Sequence, residues 1–365
     1  MILEWLKKLF GKKRGYGFLP EEQDERDFVL LGSEEILGAW SYIPKSQKKV
    51  IKTLEIKNQA GQNTCVTESI SCQKEPDEGM LLDPQDLAIF LRSTGDMSSK
   101  GTSLSAAQSA LQTRGVAEKG YLPNKYNTWW EDFSNPKLMT EEIKQNAAIH
   151  KSKSYYKTYS LDKVLEELDN NRIGHTGLTW KTGYGENYPY ILEPNLGSNI
   201  FGHAFAAIGY NMNYNGEKVL IFQNSFGKDW GDSGKFYLRF KDFSILKWGV
   251  YFNSDLDKDK IGWLSIHQAQ AVKELGGPKI YLIQGEVKRH IPNEVILHLL
   301  GRTTTFLEDK ENILSDIKEA DPVGIKDIST DRFKQVEEEI RLLNSANFIN
   351  DALKEKYREI FPTLF

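Results

Sequence analysis

The chain has 365 residues, with 47 Lys and Arg against 51 Asp and Glu, and a formal net charge of −4. This length allows a large core and favours two domains over one. The charge balance gives no overall basis for binding nucleic acid or an acidic lipid surface. An aromatic content of 12% is typical of a packed globular protein and argues against a disordered chain.

The N-terminal residues 1–42 are predicted to be a helix followed by an extension. Apolar and charged residues are interleaved over 2–10, which predicts a short amphipathic helix before the basic run Lys12–Arg14. This segment lacks the uninterrupted apolar stretch of a signal peptide, and no window reaches transmembrane length, so we expect a cytoplasmic or virion-associated protein. Contact with a membrane surface or a partner is one interpretation of the helix. Packing on its own domain is favoured, because the segment is too short for firm membrane binding.

Only two cysteines are present, Cys65 and Cys72. If Cys65 begins a helix, Cys72 lies ~10 Å further along it, because each helical residue adds ~1.5 Å. That separation exceeds the ~7 Å limit for a disulfide. We therefore expect no intramolecular disulfide, which indicates a reducing compartment or a bacterial or viral origin. Two cysteines also argue against a cysteine-rich zinc site, and we expect no metal or other cofactor.

Residues 43–254 begin with helical patterns and end with strand patterns, which predicts an α+β domain. Asn63 or Thr64 is placed to cap the first helix, and Asp83 and Ser103 precede the next two. Capping residues and terminating glycines predict helices at about 64–72, 84–94, 104–114 and 161–168. Short β-rich runs predict strands at 175–180, 203–210, 218–223 and 235–240.

A charged linker at 253–260 separates this domain from residues 255–365, for which we expect a small α/β module. Residues 279–283 and 286–291 flank Gln284–Gly285 and predict a β-hairpin. A helix is predicted from Pro292 to Gly301, and apolar stripes predict further helices to the C-terminus. We expect this module to fold separately and, with the N-terminal helix, to dock a homo-oligomer or a larger protein assembly.

The residues with the clearest chemical pattern are Gln59, Cys65, His203 and Asn224. Gln59 lies six residues before Cys65, and Asn224 begins the run Asn-Ser-Phe-Gly, with Trp-Gly and a further glycine after it. This order and spacing resembles the papain-like cysteine peptidases, in a prokaryotic or phage-type variant without disulfides. The resemblance covers about 43–252. It implies a two-lobed fold with a helical left lobe and a β-barrel-like right lobe.

The chemistry of these residue types fits peptide-bond hydrolysis. A thiolate at a helix N-terminus is stabilised by free N–H groups and by the helix dipole, which suits Cys65 as nucleophile. His203 is then the base that forms an ion pair with the thiolate, and Asn224 orients its ring. The side chain of Gln59 and the backbone N–H of Cys65 are candidate donors to the oxyanion.

The resemblance adds further residues. Phe226 stands where the family has a tryptophan that covers the bond between Asn and His, and Trp230 adds to that cover. Gly101 resembles the family glycine that pairs with substrate backbone. Gly202 stands where papain has an acidic residue, and it is a second candidate substrate-binding residue. Among the positions that differ from the family, Asn63 replaces a glycine and Val66 replaces a tryptophan.

Three functions stay open on the sequence. The first is a papain-like thiol peptidase with a polypeptide substrate. The second is a papain-fold structural or assembly protein with little or no catalysis, for example a component of a phage particle. The third is a cell-wall peptide hydrolase, although such enzymes do not usually carry Asn-Ser-aromatic-Gly followed by Trp-Gly. Cys72 is predicted to be a core residue, and His175 a structural or cleft-wall histidine.

Overall fold

The structure is a computed structural model. It describes residues 16–20, 27–30, 42–254, 256, 258–268, 270–284, 286–292, 296, 299–300, 307–309, 312–323, 327–328, 330–345, 351–358 and 360–364. The predicted helix at 2–10 lies outside these residues, as does part of the predicted helix from Pro292 to Gly301. The chain divides into two compact units: unit 1 is Met1–Val29 with Pro44–Lys258, and unit 2 is Leu30–Ile43 with Asp259–Phe365.

The helices of unit 1 are α1 (Cys65–Glu78), α2 (Pro84–Thr94), α3 (Leu104–Thr113), α4 (Trp130–Phe133), α5 (Glu141–Ile149) and α6 (Leu161–Asp169). Two of them begin at predicted caps, Asp83 and Ser103. The Asp83 side chain accepts N–H groups from the first turn of α2, and Ser103 and Ser160 do the same for α3 and α6. Each cap satisfies backbone donors that a helix leaves unpaired at its N-terminus.

Helix α1 begins at Cys65 and continues past its predicted end near Cys72 to Glu78. The residue that ends it is Gly79, whose left-handed conformation (φ 69°) lets its N–H bond back to the Glu75 carbonyl. Thr64 occupies the N-cap position but makes no capping bond. One face of α1 packs with apolar side chains of α2 and α3 into a buried cluster: Val66, Ile70, Leu87, Leu91, Leu104 and Leu111.

The strands of unit 1 are β1 (Lys48–Val50), β2 (Ser154–Thr158), β3 (Gly174–Lys181), β4 (Asn199–Tyr214), β5 (Glu217–Gln223), β6 (Lys235–Arg239) and β7 (Val250–Ser254). They form an antiparallel sheet in the order β2-β7-β3-β4-β5-β6, with β1 on β4. Among the described residues β2 and β6 do not pair, so the sheet is open and does not close into a barrel.

The sequence pattern missed β1, β2 and β7. Strand β2 is buried at all five positions, so it lacks the alternation of apolar and polar residues that marks a half-buried strand. Strand β7 lies between β2 and β3 in the interior of the sheet and is mostly buried too. Because β2 and β7 are buried on both faces, their sequences lack the alternation by which a strand is recognised.

Unit 2 contains α7 (Lys258–His267, which begins at the unit boundary), β8 (Ala271–Lys273), β9 (Ile280–Gln284), β10 (Val287–His290), β11 (Leu307–Glu308), β12 (Lys318–Ala320), α8 (Thr330–Ser345) and α9 (Asp351–Arg358). Its sheet has the order β11-β8-β9-β10-β12. Strands β9 and β10 are the predicted hairpin. Val336 and Ile340 of the predicted helical stripe are buried in the core of this unit. Over the described part of the chain, the helices fall short of the length and apolar character needed to cross a bilayer.

Candidate active site

Cys65 is the first residue of α1, and its side chain is fully buried. The sulfur accepts two backbone hydrogen bonds, from the N–H of Gly17 at 3.1 Å and from the N–H of Ala204 at 3.4 Å. Ala204 directly follows His203 on β4. The fold thus brings the predicted nucleophile from the helical side of unit 1 against the strand that carries the predicted base.

His203 and Asn224 are brought together by neighbouring strands. Strand β4 pairs with β5 so that Ala206 lies opposite Gln223, and Asn224 is the next residue after β5. The Nε2 atom of His203 lies 2.7 Å from Oδ1 of Asn224. An amide oxygen only accepts hydrogen bonds, so Nε2 carries the proton. In the neutral ring, Nδ1 is therefore left with its lone pair and is the atom able to take a proton.

Aromatic rings surround this bond. Phe226 stacks on the His203 ring with centroids 4.6 Å apart, which agrees with its predicted covering position, and Trp230 packs edge-on against Phe226 at 5.4 Å. Trp180 on β3 contacts His203 from another direction at 4.8 Å and was missed by the sequence reasoning. Excluding water strengthens the bond between histidine and asparagine, because a low dielectric raises its electrostatic energy.

Gln59 is held beside the same segment. Its backbone N–H donates to the Ser225 carbonyl at 2.9 Å, and Ser225 Oγ donates to its side-chain oxygen. Its Nε2 donates to the Gln62 carbonyl at 2.7 Å. A primary amide has two N–H groups, so this bond uses one of them and leaves a second for another acceptor.

Burial of the Cys65 thiol raises its pKa to about 12, although N–H groups of Ala204, Gly17 and Val66 oppose this; the charge of Glu68 adds to the rise. The sulfur is therefore held as the protonated thiol in this state. The predicted ion pair with His203 requires instead that the pKa of the Cys65 thiol be lowered. The discrepancy has one main cause, which is the complete loss of contact between the sulfur and water.

A buried charge cluster lies along α1. Lys57, with a side chain 2% exposed, donates to Glu55 at 2.9 Å and to Glu75. Burial opposes the charged form of Lys57, but the charges of Glu75, Glu68 and Glu55 outweigh it and raise its pKa. Burial also raises the pKa of Glu68 to about 7, with Lys57 opposing the rise. Glu68 lies one helical turn after Cys65 and so contributes to the potential at the sulfur.

Residues Tyr16–Pro20 form an extended segment across Cys65, which we call the strap. The Phe18 N–H donates to the Gly202 carbonyl at 3.3 Å, and the Thr102 N–H donates to the Gly17 carbonyl at 2.9 Å. The sequence reasoning treated this part of the chain as a polar connector. A glycine between two aromatic residues was the available signal, since it allows backbone to approach backbone closely.

Both predicted substrate-binding glycines face the strap. A Cβ atom on Gly101 would lie 1.8 Å from the Gly17 carbonyl oxygen, and one on Gly202 would lie 2.1 Å from the Phe18 carbonyl oxygen. Gly101 also has φ +112°, which side chains disfavour. These two positions therefore form narrow walls that admit only an extended backbone.

An open cleft of about 870 Å³ lies beside the strap. Asn63 and Phe226 line it on the side of Cys65 and His203, and Trp230, Trp129 and Trp130 form its aromatic walls. No Lys or Arg lies among its described lining residues. The sequence reasoning missed the two neighbouring tryptophans, because nothing in their local pattern links them to a cleft.

The remaining candidates have structural surroundings. Cys72 is free and buried, as predicted, and accepts a hydrogen bond from Gln223 at 3.4 Å. His175 is fully buried on β3, with Nδ1 2.8 Å from Ser69 Oγ. Burial lowers its pKa to about 3, so it stays neutral. In the described ranges, His, Cys, Asp and Glu side chains form no group of three that could hold a metal ion.

Comparison with known proteins supports the fold. No protein-family model and no curated protein sequence matches this chain. Xylellain, a cysteine protease from Xylella fastidiosa, superposes with a TM-score of 0.56 at 16% identity, covering 67% of this chain and 97% of that one. Procathepsin L 3 from Tenebrio molitor larval midgut matches at 0.47 and 14% identity, over 69% and 78% of the two chains. A Carica candamarcensis cysteine protease in complex with E-64 matches at 0.44 and 15%, over 57% and 98%.

The match to xylellain, together with the helices and antiparallel sheet described above, establishes a papain-like two-lobed fold. At this level of identity the likeness concerns the fold alone. A fold carries many activities, so the function has to be argued from the site.

Proposed function

We propose that this chain is a thiol peptidase that hydrolyses polypeptides bound in an extended conformation across Cys65. One observation carries the proposal: Cys65 begins a helix, its sulfur accepts the N–H of Ala204 next to His203, and His203 Nε2 lies 2.7 Å from Asn224 Oδ1. Nucleophile, base and orienting group are the three parts that covalent acyl transfer needs. Helix α1 supports Cys65, β4 supports His203, and the end of β5 supports Asn224.

The first half of the reaction forms an acyl-enzyme. The Cys65 thiol gives its proton to Nδ1 of His203, and the thiolate attacks the carbonyl carbon of the substrate. The Cys65 N–H and the free N–H of Gln59 are the candidate donors to the oxyanion, and losing one such donor typically costs ~3–4 kcal/mol of transition-state stabilisation. The C–N bond then breaks, and His203 gives the proton to the departing amine.

The second half releases the acid product. Water attacks the thioester carbonyl while His203 Nδ1 takes one of its protons. The carbon–sulfur bond breaks, the carboxylic acid leaves, and the proton returns to the Cys65 sulfur. Throughout both halves Nε2 keeps its proton and donates it to Asn224 Oδ1, so Nδ1 is always the ring nitrogen that exchanges protons in the reaction.

The contacts of the strap support a peptide substrate. A bound peptide in its place would pair with the backbone of Thr102 and Gly202, as the strap does. Such main-chain pairing gives affinity without sequence preference. The pocket of Phe18, against Trp248, favours an aromatic or large aliphatic side chain there.

The test is cleavage of an unfolded polypeptide by three full-length proteins: wild type, Cys65→Ala and Cys72→Ala. Cys72 is the matched control because it is a buried cysteine on the same helix. Since the strap lies across Cys65, each comparison is repeated with Gly17→Ala added. We expect Cys65→Ala to abolish cleavage with little change in stability, and Cys72→Ala to retain it.

Equal cleavage after Cys65→Ala would assign the activity to another source. Absence of cleavage by protein whose Cys65 reacts with an epoxide thiol inhibitor would favour the structural or assembly role. Cleavage of cell-wall peptides without cleavage of the polypeptide would favour the cell-wall hydrolase.

A further inference from the structure

We infer that a second cavity of unit 1, apart from the candidate active site, binds a small phosphorylated polyol such as a sugar phosphate. This cavity has a volume of about 440 Å³ and is lined by residues near the end of α1, and we call it the polar cavity. Gln73, the first of its α1 residues, lies ~12 Å along the helix from Cys65, at ~1.5 Å per residue. The inference therefore does not depend on the proposed peptidase chemistry.

Basic side chains dominate the lining of the polar cavity. The described lining residues include Lys74, Lys151, Lys153 and Arg172, against a single carboxylate, that of Asp77. Lysine and arginine side chains gathered around one cavity favour an anion, and phosphate accepts hydrogen bonds from both. The polar cavity thus differs from the active-site cleft, whose described lining residues include neither Lys nor Arg.

The lysines of the segment 151–153 are the cations that a ligand can use. Lys74 and Arg172 each lie within ion-pair distance of a glutamate, at 2.8 Å and 3.3 Å, so part of their charge is balanced inside the protein. Lys151 and Lys153 are exposed and form no ion pair with the described residues. These two ammonium groups therefore provide the phosphate subsite.

Other lining side chains are buried and have polar atoms without a partner. Ser152 is 5% exposed, and its Oγ makes no hydrogen bond with the described residues. The Nδ2 and Oδ1 atoms of Asn253, on β7, are also buried and unpaired within that part of the chain. Buried polar atoms are nearly always hydrogen-bonded, because an unmade bond is destabilising. Two such side chains lining one cavity indicate that it takes a hydrogen-bonding occupant.

The chemistry of Asn253 favours hydroxyl groups. Its amide offers a donor and an acceptor side by side, and a hydroxyl both accepts and donates, whereas an ionised phosphate only accepts. The last side-chain torsion of asparagine is broad, so a small rotation brings these atoms to an occupant. Asp77 adds an acceptor that suits a hydroxyl and repels an anion. The polyol therefore lies against these residues, and the phosphate lies against the lysines.

The size and lining of the cavity argue against other phosphorylated ligands. Its volume of about 440 Å³ is within the ~300–1,000 Å³ typical of sites for small organic molecules, which is more than inorganic phosphate needs. Nucleobases bind by stacking on aromatic rings, and the described lining residues include none. A sugar phosphate matches the charge and the hydroxyl-binding groups better than a nucleotide does.

The framework of the cavity is rigid. Gln73 Nε2 donates to the carbonyls of Ile173 at 3.0 Å and Tyr251 at 2.7 Å, which ties α1 to the start of β3 and to β7. The Ser152 N–H donates to the Leu111 carbonyl of α3 at 3.3 Å. A framework fixed in this way lowers the entropy cost of binding, because little backbone has to be ordered.

The first test is calorimetric titration of the full-length protein, at constant ionic strength, with glucose 6-phosphate, glucose, inorganic phosphate and AMP. We expect glucose 6-phosphate to bind at least about tenfold more tightly than each of the others, because it alone engages both subsites. Absence of binding would mean that the cavity holds only water and would overturn the inference. Equal affinity for inorganic phosphate, or for AMP, would overturn the assignment of a polyol.

Two double variants test the phosphate subsite. Lys151→Gln with Lys153→Gln should weaken glucose 6-phosphate and inorganic phosphate alike by at least about tenfold, because hydrogen bonds to charged groups are the stronger ones. Lys137→Gln with Lys247→Gln is the matched control, since it removes the same charge at exposed lysines outside the cavity. It should change either affinity by no more than about twofold. Equal weakening by both pairs would assign binding to overall charge and reject the site.

Two single variants test the unpaired polar groups. Asn253→Ala should weaken glucose 6-phosphate about threefold to tenfold, as expected for neutral hydrogen bonds, and leave inorganic phosphate unchanged. Ser152→Ala should weaken glucose 6-phosphate without lowering the melting temperature of the free protein, since the hydroxyl that it removes is unpaired. Unchanged affinity for glucose 6-phosphate in both variants would contradict the inference.

A measurement on the wild type alone decides the question if a variant misfolds. Lysines are acetylated with acetic anhydride, with and without glucose 6-phosphate, and each site is followed by mass. The ligand should slow acetylation of Lys151 and Lys153 and leave Lys137 and Lys247 unaffected, because an ammonium paired with phosphate keeps its proton. Protection of all four lysines, or of none, would refute the polar cavity as the binding site.

Discussion

Replacing Phe18 by alanine should release the strap without unfolding unit 1. The Phe18 ring is 2% exposed and lies in the same apolar cluster as Cys65 and Ala204. In a rigid core, truncating a buried phenylalanine typically costs ~3–5 kcal/mol of stability, part of which is the cavity left behind. A strap that can leave the cleft avoids that cavity. The loss of stability is then limited to the free energy of strap binding.

The magnitude follows from the contacts of the ring. Burial of a phenylalanine side chain contributes ~1.5–3 kcal/mol. Its edge-on pair with Trp248, at 4.8 Å, adds ~0.5–1.5 kcal/mol. We therefore expect strap binding to weaken by ~2–4.5 kcal/mol, which is between about thirtyfold and two-thousandfold in the population of open protein. The rate of Cys65 alkylation should rise by up to that factor.

Phe133 provides the control. Phe133 is 1% exposed in the same apolar cluster, but it belongs to α4, which cannot move out of the core as the strap can. Phe133→Ala should lower the free energy of unfolding by ~3–5 kcal/mol and leave Cys65 alkylation unchanged. The reasoning would be refuted if Phe18→Ala behaved like Phe133→Ala in both measurements, since Phe18 would then be an ordinary core residue.

Two further predictions concern the residues around Cys65. Asn224→Ala removes the bond that orients His203, so kcat for polypeptide cleavage should fall about fivefold to 150-fold, for a bond of ~1–3 kcal/mol. Unchanged kcat would mean that another group orients the ring. Burial raises the pKa of Glu68 from 4.5 to about 7, so the folded protein keeps a proton that the unfolded chain releases, and stability declines as pH rises from about 4.5 to above 7. Glu68→Gln should remove ~3 kcal/mol of that decline, because one pKa unit is ~1.4 kcal/mol. Urea unfolding at pH 5 and pH 8 checks this, and the same decline in the variant would exclude Glu68 as its source.

Much of the site was predictable because its signals are local or lie at fixed spacings. The bond between His203 and Asn224 and the cover of Phe226 both followed from motif order. Helix caps such as Asp83 were predictable because a cap acts within one turn. Strand β2 was not predictable, since its complete burial depends on what the rest of the sheet places on each side of it.

The strap could not be predicted either, because its position depends on contacts between distant parts of the chain. Gly17 contacts Cys65 across 48 residues of chain, and neither partner carries a local pattern that names the other. The sequence predicted only an extension in this part of the chain. The narrow walls at Gly101 and Gly202 exist only once the helices and the sheet have packed together.

The sequence by itself determined which groups meet at the site: a cysteine at a helix start, a histidine on a strand and an asparagine at the end of the next strand. The tertiary structure alone decided the state of the cysteine. A helix N-terminus stabilises a thiolate through groups within its first turn, and this effect is visible in the sequence. Burial under Gly17 outweighs it and raises the pKa of Cys65 to about 12. Desolvation depends on every atom around the sulfur, so only the folded chain specifies it.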